Sequence, residues 1–277
     1  MWIDAHIHIY DVTRKGVSWP TSTSPALYRK IDPADFIAAA KQCGVKRAIA
    51  IECASEVENN LWTLEYLKDT PEICAVTGHI NPCAHDFADV YDRYAAYPKF
   101  RGIRIGSWSS CSDIDLMSKN IAYLADKRAN VIDLLGKWND LAQMEELIAR
   151  NPGISFVINH IAGCPIEGKT PPADYLAFLR QMAAYKNVYM KVSGIIFRTE
   201  VIPVPLDGMY YAPVLEEIYN AFGQDRCLYG SDWPVITIKG DYETNINIIT
   251  DFFRQYGNRV LEKVMGENTA RIYRITE

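Results

Sequence analysis

Ile154-Ser155-Phe156-Val157-Ile158 is an almost unbroken apolar run, and it stops at the polar pair Asn159-His160. A strand with one wet face alternates apolar and polar residues. A short continuous run predicts a strand buried on both faces, as in a parallel sheet covered by helices. Working outward, apolar runs predict strands at 2–9, 46–53, 73–80, 100–106, 129–135, 154–160, 187–193 and 226–232. Helical patterns fall between and after them, near 33–43, 58–69, 86–97, 115–127, 138–150, 173–185, 211–222 and 242–256. Asp32-Pro33-Ala34-Asp35 is a helix start with proline at the first position, and Val57 to Leu67 carries an apolar stripe at 3.6-residue spacing. Eight strands alternating with eight helices over 277 residues is the count of an α/β protein of the (β/α)8 barrel type, with residues 1–277 as one domain. The competing open, doubly wound sheet wants a Gly-x-Gly-x-x-Gly after the first strand, and none is there. The tail from Asn258 onward reads as helices closing the ring, with Gly266-Glu267-Asn268-Thr269 as a break and cap between them.

A hydrophobic fraction of 49% and a charged fraction of 23% belong to a globular chain with core enough to fold alone. The net charge of −5 advertises no basic surface, so neither nucleic acid nor an anionic membrane is an expected partner. No leader-like start and no stretch approaching ~20 apolar residues is present, so the expectation is a cytoplasmic protein acting on a small molecule. The composition leaves a homo-oligomer open. Seven cysteines, odd in number and without a Cys-x-x-Cys, predict reduced thiols rather than a disulfide framework.

A barrel of this kind carries its chemistry at the carboxyl ends of its strands. Those ends hold His6 and His8, Glu52, His79, Arg104, Asp133, His160, Lys191 with Ser193, and Asp232, in chain order. His6 and His8, two apart on a strand, are expected on one side. Burying two imidazoles without a task is costly, so the pair points to metal binding or proton transfer rather than to core filling. Asp232 would more ordinarily cap the next helix, but Trp233-Pro234 and a polar stretch intervene. Arg104 reads equally as a clamp for a substrate carboxylate and as half of a structural ion pair. Lys191 stands equally between a cation or proton carrier and a structural pair. Two long loops, 11–31 and 195–207, fall on the same face. Trp19, Tyr28, Trp108, Phe197, Tyr210, Tyr211 and Trp233 lie on loops of that face; packing a loop onto the barrel is the commoner task for such rings, stacking on a substrate the rarer.

Asp4-Ala5-His6-Ile7-His8, Arg101-Gly102-Ile103-Arg104, Val157 to Pro165, Lys191-Val192-Ser193-Gly194, Gly230 to Val235 and Asn268 to Tyr273 together resemble the amidohydrolase superfamily. Within it they are similar to the amidohydrolase-related branch of sugar-lactone and pyrone-dicarboxylate lactonases, over essentially the whole chain. The resemblance implies an active site lined by His6, His8, His160 and Asp232, and a ring ester as substrate. Asp232 would take the proton of an attacking water. The histidines, His160 among them, would polarise the carbonyl, directly or through one divalent ion. His6, His8, His160 and Asp232 as ligands suit zinc, with manganese as the second choice, and some lactonases of this branch work without metal. Arg104, Lys191 and Trp233 would contact the substrate. The chain departs from the pattern at Asn159, where relatives more often have Asp, and at His79, where they have Trp. Its fourth strand ends in Arg104 rather than in the bridging Lys of binuclear members, so a binuclear centre is not expected. Metal-dependent, non-oxidative decarboxylation of an aromatic or enol acid is the alternative reaction. A barrel that binds without turning over is a third reading.

Overall fold

The computed structural model describes residues 1–17, 19–106 and 113–276. Eight strands lie in one sheet in sequence order: β1 (Trp2–Ile7), β2 (Val45–Ile51), β3 (Ile73–His79), β4 (Phe100–Gly106), β5 (Val131–Leu135), β6 (Ser155–Ile158), β7 (Val188–Ser193) and β8 (Cys227–Gly230). Neighbours from β1 to β8 pair in parallel. The ring is closed by a parallel bridge between Ile7 and Trp233, with Asp232 N–H donating to His6 C=O at 2.9 Å and His8 N–H to Trp233 C=O at 2.8 Å. The closure is therefore made at the site itself.

Helices α1 (Pro33–Ala40), α2 (Val57–Tyr66), α3 (Phe87–Ala95) and α4 (Ile114–Ala122) follow the first four strands. Beyond them come α5 (Trp138–Leu141), α6 (Glu145–Arg150), α7 (Ala173–Ala183), α8 (Ala212–Phe222), α9 (Tyr242–Arg254), α10 (Asn258–Glu262) and α11 (Asn268–Ile272). The single helix expected over 138–150 is two, joined by a tight turn at 142–144. The tail corrects the sequence expectation more sharply. Residues 263–267 form a wide π turn that runs straight from α10 into α11, with Asn268 at helical φ −62°, so Gly266 breaks nothing. Gly266 is needed for space instead: a Cβ there would lie 2.0 Å from the Met1 carbonyl oxygen.

Ile3, Ala5, Ile49, Ile51, Ala75, Val131, Val157 and Leu228 fill the barrel interior, while a larger cluster sits between sheet and helices. Strict alternation would place His6 and His8 on the face of Asp4, away from Ile3 and Ala5. The β1–β2 register shifts between Asp4 and Ile7, and such an irregularity re-aims the side chains beyond it. The interior face thus passes from Ile3 and Ala5 to His6 and His8. Asp4 accepts His6 N–H at 3.0 Å, Ser231 N–H at 2.8 Å and the Tyr242 hydroxyl at 2.9 Å, pinning β1 to β8.

The cysteines bring another correction. Cys43, Cys53, Cys74, Cys164 and Cys227 are free, but Cys83 is disulfide-bonded. Cys111 and Trp108 fall outside the described residues.

Candidate active site

Asp232 Oδ1 lies 3.7 Å from His6 Nε2, 3.4 Å from His8 Nε2 and 3.8 Å from His160 Nε2. Three imidazoles thus surround one carboxylate, and all four residues are buried. The backbone that presents them is unusual. His160, Ile161, Ala162 and Asp232 have φ of 52°, 50°, 53° and 66°, a region non-glycine residues avoid at about 1–3 kcal/mol each. Asp232 is held in it by its N–H bond to His6. Gly194, at φ 63°, comes close enough that a Cβ would lie 3.1 Å from Asp232 Oδ2 and 3.4 Å from His160 Nδ1. Only glycine meets both demands.

The second nitrogen of each ring assigns its proton. His8 Nδ1 lies 3.1 Å from the Ile51 carbonyl oxygen, which can only accept, so Nδ1 donates and Nε2 keeps a lone pair. Ser193 Oγ accepts His160 N–H at 3.1 Å and lies 2.9 Å from His160 Nδ1. The serine hydroxyl can donate its proton to Nδ1, the arrangement that puts the ring proton on Nε2. His6 Nδ1 faces the Lys191 ammonium at 3.5 Å, a donor, so the His6 proton also sits on Nε2, 3.3 Å from His8 Nε2. Burial holds His6 far below the usual imidazole range and His160 down at about 3. Burial alone would raise the Asp232 carboxyl, yet His160, His8 and Arg198 hold it below its ordinary value. Near neutral pH the site therefore sets an ionised Asp232 beside neutral imidazoles at His6 and His160.

The low His160 value has a consequence for stability. Unfolded, the ring takes a proton below about 6.5; folded, it stays neutral down to about 3. The unfolded chain binds more protons across that window, so stability falls as pH drops from 6.5 towards 3. Melting temperature measured against pH should show this fall, and His160→Gln should flatten it. Equal slopes in both proteins would remove His160 as the cause.

His8, His160 and Asp232 open onto a cleft of about 500 Å³, whose rim includes Trp19, Leu27, Phe197 and Arg198. Trp19, Leu135 and Arg104 connect it to a smaller lobe of about 280 Å³ that holds Glu52, Ser55 and His79. Both long loops contribute to the rim. His6 completes the cluster from beneath and is fully buried.

The substrate contacts expected from the sequence fare unequally. Arg104 lines the cleft, but its Nε donates to Glu52 Oε1 at 2.7 Å and its Nη2 to the Glu52 carbonyl at 2.7 Å. Lys191 is wholly buried and donates to Asp133 Oδ1 at 2.5 Å; it lies beneath the cleft, out of a ligand's reach. Asp133 also accepts from Tyr273 and Thr77. Trp233 is buried edge-on against Phe36, 5.8 Å between ring centres, and does not line the cleft either. Tyr211 packs its loop, donating to the Pro205 carbonyl. Arg198 does not stand out in the sequence. It lines the cleft with its charge towards Asp232, and its buried Nε has no partner among the described residues. The available signal is a lone cation ending the apolar run Ile195-Ile196-Phe197 on an active-face loop.

The donor set can be tested against a metal ion. His6, His8 and Asp232 bring ligand atoms within 4.8 Å of one another, and His160 adds a third imidazole. His8 shows the second-nitrogen anchoring usual for a ligating histidine. These residue types fit one divalent ion, provided His6 and His160 give up their Nε2 protons.

The family model described as "Amidohydrolase" matches residues 3–275. An L-fucono-1,5-lactonase of Burkholderia ambifaria is 29% identical over 283 residues, covering 99% of this chain and 95% of that one. An amidohydrolase crystal structure from Burkholderia multivorans with bound zinc superposes with a TM-score of 0.88 at 23% identity, covering 100% of both chains. A 5-carboxyvanillate decarboxylase from Sphingomonas paucimobilis shares the fold at a TM-score of 0.65 and 14% identity, with 99% of each chain covered. Among the described residues no helix is long and apolar enough to cross a membrane.

Proposed function

Because the chain belongs to the amidohydrolase family, we propose that it is a lactonase that opens a sugar lactone or a related ring ester. The carrying observation is the Asp232 carboxylate, ringed by three imidazole Nε2 atoms at 3.4–3.8 Å on the floor of the cleft. The likeness to an L-fucono-1,5-lactonase supports the substrate class. Asp232 takes a proton from water as the water oxygen bonds to the lactone carbonyl carbon. His160, with its proton on Nε2, donates to the carbonyl oxygen as charge develops there, and Arg198 adds its positive field. The ring C–O bond then breaks, and the Asp232 proton passes to the leaving oxygen, giving a hydroxy acid. The bond from Asp232 N–H to the His6 carbonyl holds the residue that carries the carboxylate in place. Arg104 contacts the far end of the substrate together with Glu52.

His6, His8, His160 and Asp232 would hold a single divalent ion, zinc first by their chemistry. When bound, that ion supplies Lewis-acid polarisation of the carbonyl and an acidified water. Five free thiols among the described residues support the cytoplasm as the compartment, and the bonded Cys83 counts against it.

Decarboxylation of an aromatic or enol acid is the second reading, supported by the fold shared with a decarboxylase. A panel of aldonolactones, followed by acid release and by carbon dioxide detection, separates them. Acid without gas is expected. Gas from a hydroxybenzoate, with every lactone untouched, would reverse the assignment. Chelator treatment alongside elemental analysis asks whether activity follows one equivalent of zinc.

A further inference from the structure

The smaller lobe of the cleft bears on which lactone is taken. It is walled by Arg104, Glu52, Ser55 and His79, beside Trp19, and none of its groups is needed for bond breaking at Asp232. An arginine at the end of a barrel strand, facing a cleft, would by itself favour a substrate carboxylate. Here Glu52 answers that charge from the next-but-one strand. Its carboxylate takes Arg104 Nε at 2.7 Å, and its own carbonyl oxygen takes Nη2 at 2.7 Å. The two side chains are only 13% and 11% exposed, so solvent screens the pair weakly and the guanidinium is held in one orientation.

We propose that Glu52 is a specificity-determining residue: by cancelling the charge of Arg104 it makes the smaller lobe a neutral, hydroxyl-binding subsite and turns away lactones that carry a second carboxylate. This rests on the lactonase reading for its substrates, though the recognition itself is a property of the lobe. Glu52 offers acceptor oxygens, Arg104 and Ser55 offer donors, and Trp19 offers a ring face, a set suited to the polyol end of a sugar. A carboxylate entering the lobe would meet Glu52 at close range, and Arg104, the one Lys or Arg among its described lining residues, is already paired. Such repulsion is an effective means of discrimination.

The test compares kcat/KM for an aldonolactone and for an aldaric acid monolactone, which differs by one carboxylate at the far end. The unaltered enzyme should favour the neutral lactone. Glu52→Gln keeps an acceptor for Arg104 Nε but removes the negative charge, and should raise the aldaric-to-aldonic ratio at least tenfold. Arg104→Gln leaves Glu52 uncompensated and should lower the same ratio. Opposite movements of the two variants support the proposal. An unchanged ratio in a folded variant overturns it, and one folded variant is enough to decide. Calorimetric titration with aldonate and aldarate gives the same ratio from binding alone. If no lactone is hydrolysed by the unaltered enzyme but the binding ratios still move, the lactonase reading falls and the role of Glu52 stands. If lactones are hydrolysed and neither ratio moves, the reverse holds.

Discussion

Asp232→Asn should lower kcat for lactone opening by about a thousandfold or more while leaving the melting temperature within a few degrees of the parent. The asparagine has the same shape and keeps the backbone bond to His6, so the left-handed turn at residue 232 has no new reason to fail. What is lost is the ability to accept a proton from water, a step for which general-base catalysis contributes about 10²–10⁴. The negative charge is lost as well. In the parent, three imidazoles and Arg198 face that charge, so divalent metal affinity should fall together with activity. Since His160 and His8 hold the Asp232 carboxyl below its ordinary value, the parent should keep its base ionised well into mild acid. Its acid limb should begin below the usual carboxylate range. Near-parental turnover by the variant would move the base elsewhere, and Glu52 is the next carboxylate on the cleft.

Much of this site is legible in the sequence because each participating residue ends an apolar run. β6 illustrates why: Phe156, Val157 and Ile158 are fully buried, so the first polar residues after them must lie at a strand end, which in a barrel is the active face. The same logic locates Asp232 after Leu228 and Tyr229. Partnerships are not legible in the same way. Lys191 and Asp133 are 58 positions apart, and the strand order, with β6 alone between β5 and β7, is what brings them together. A residue type states what charge is present, not what neutralises it, and Arg104 reads equally as a substrate clamp and as half of an ion pair until Glu52 is seen beside it. Alternation along β1 places His6 and His8 together for an incomplete reason, since the register shift after Asp4 is what turns them inward. Arg198 escapes because a loop has no period from which a side chain's direction can be inferred. At Gly266 the breaker signal misleads: the position needs a missing side chain, for the Met1 carbonyl, rather than a helix end.

Lys191→Met should cost about 3–5 kcal/mol of stability, the range found when one partner of a buried ion pair is removed. For a domain of this size that is a fall of about 10 °C in melting temperature. The Lys191 and Asp133 side chains are both 0% exposed, so without the ammonium the carboxylate has no water to turn to. It keeps the Tyr273 hydroxyl at 2.9 Å and Thr77 Oγ1 at 3.2 Å, which stabilise a charge only in part. Adding Asp133→Asn to Lys191→Met removes the stranded charge and should recover most of the loss, because replacing both partners of a buried pair is often nearly neutral. The double variant then isolates what Lys191 does for the reaction. Its ammonium is the donor that fixes the His6 proton on Nε2, so the stable double variant should show a lowered kcat with little change in KM. A raised KM at unchanged stability would instead place Lys191 against the substrate. The position of Lys191 beneath the histidines, with no face on the cleft, makes the first outcome the expected one.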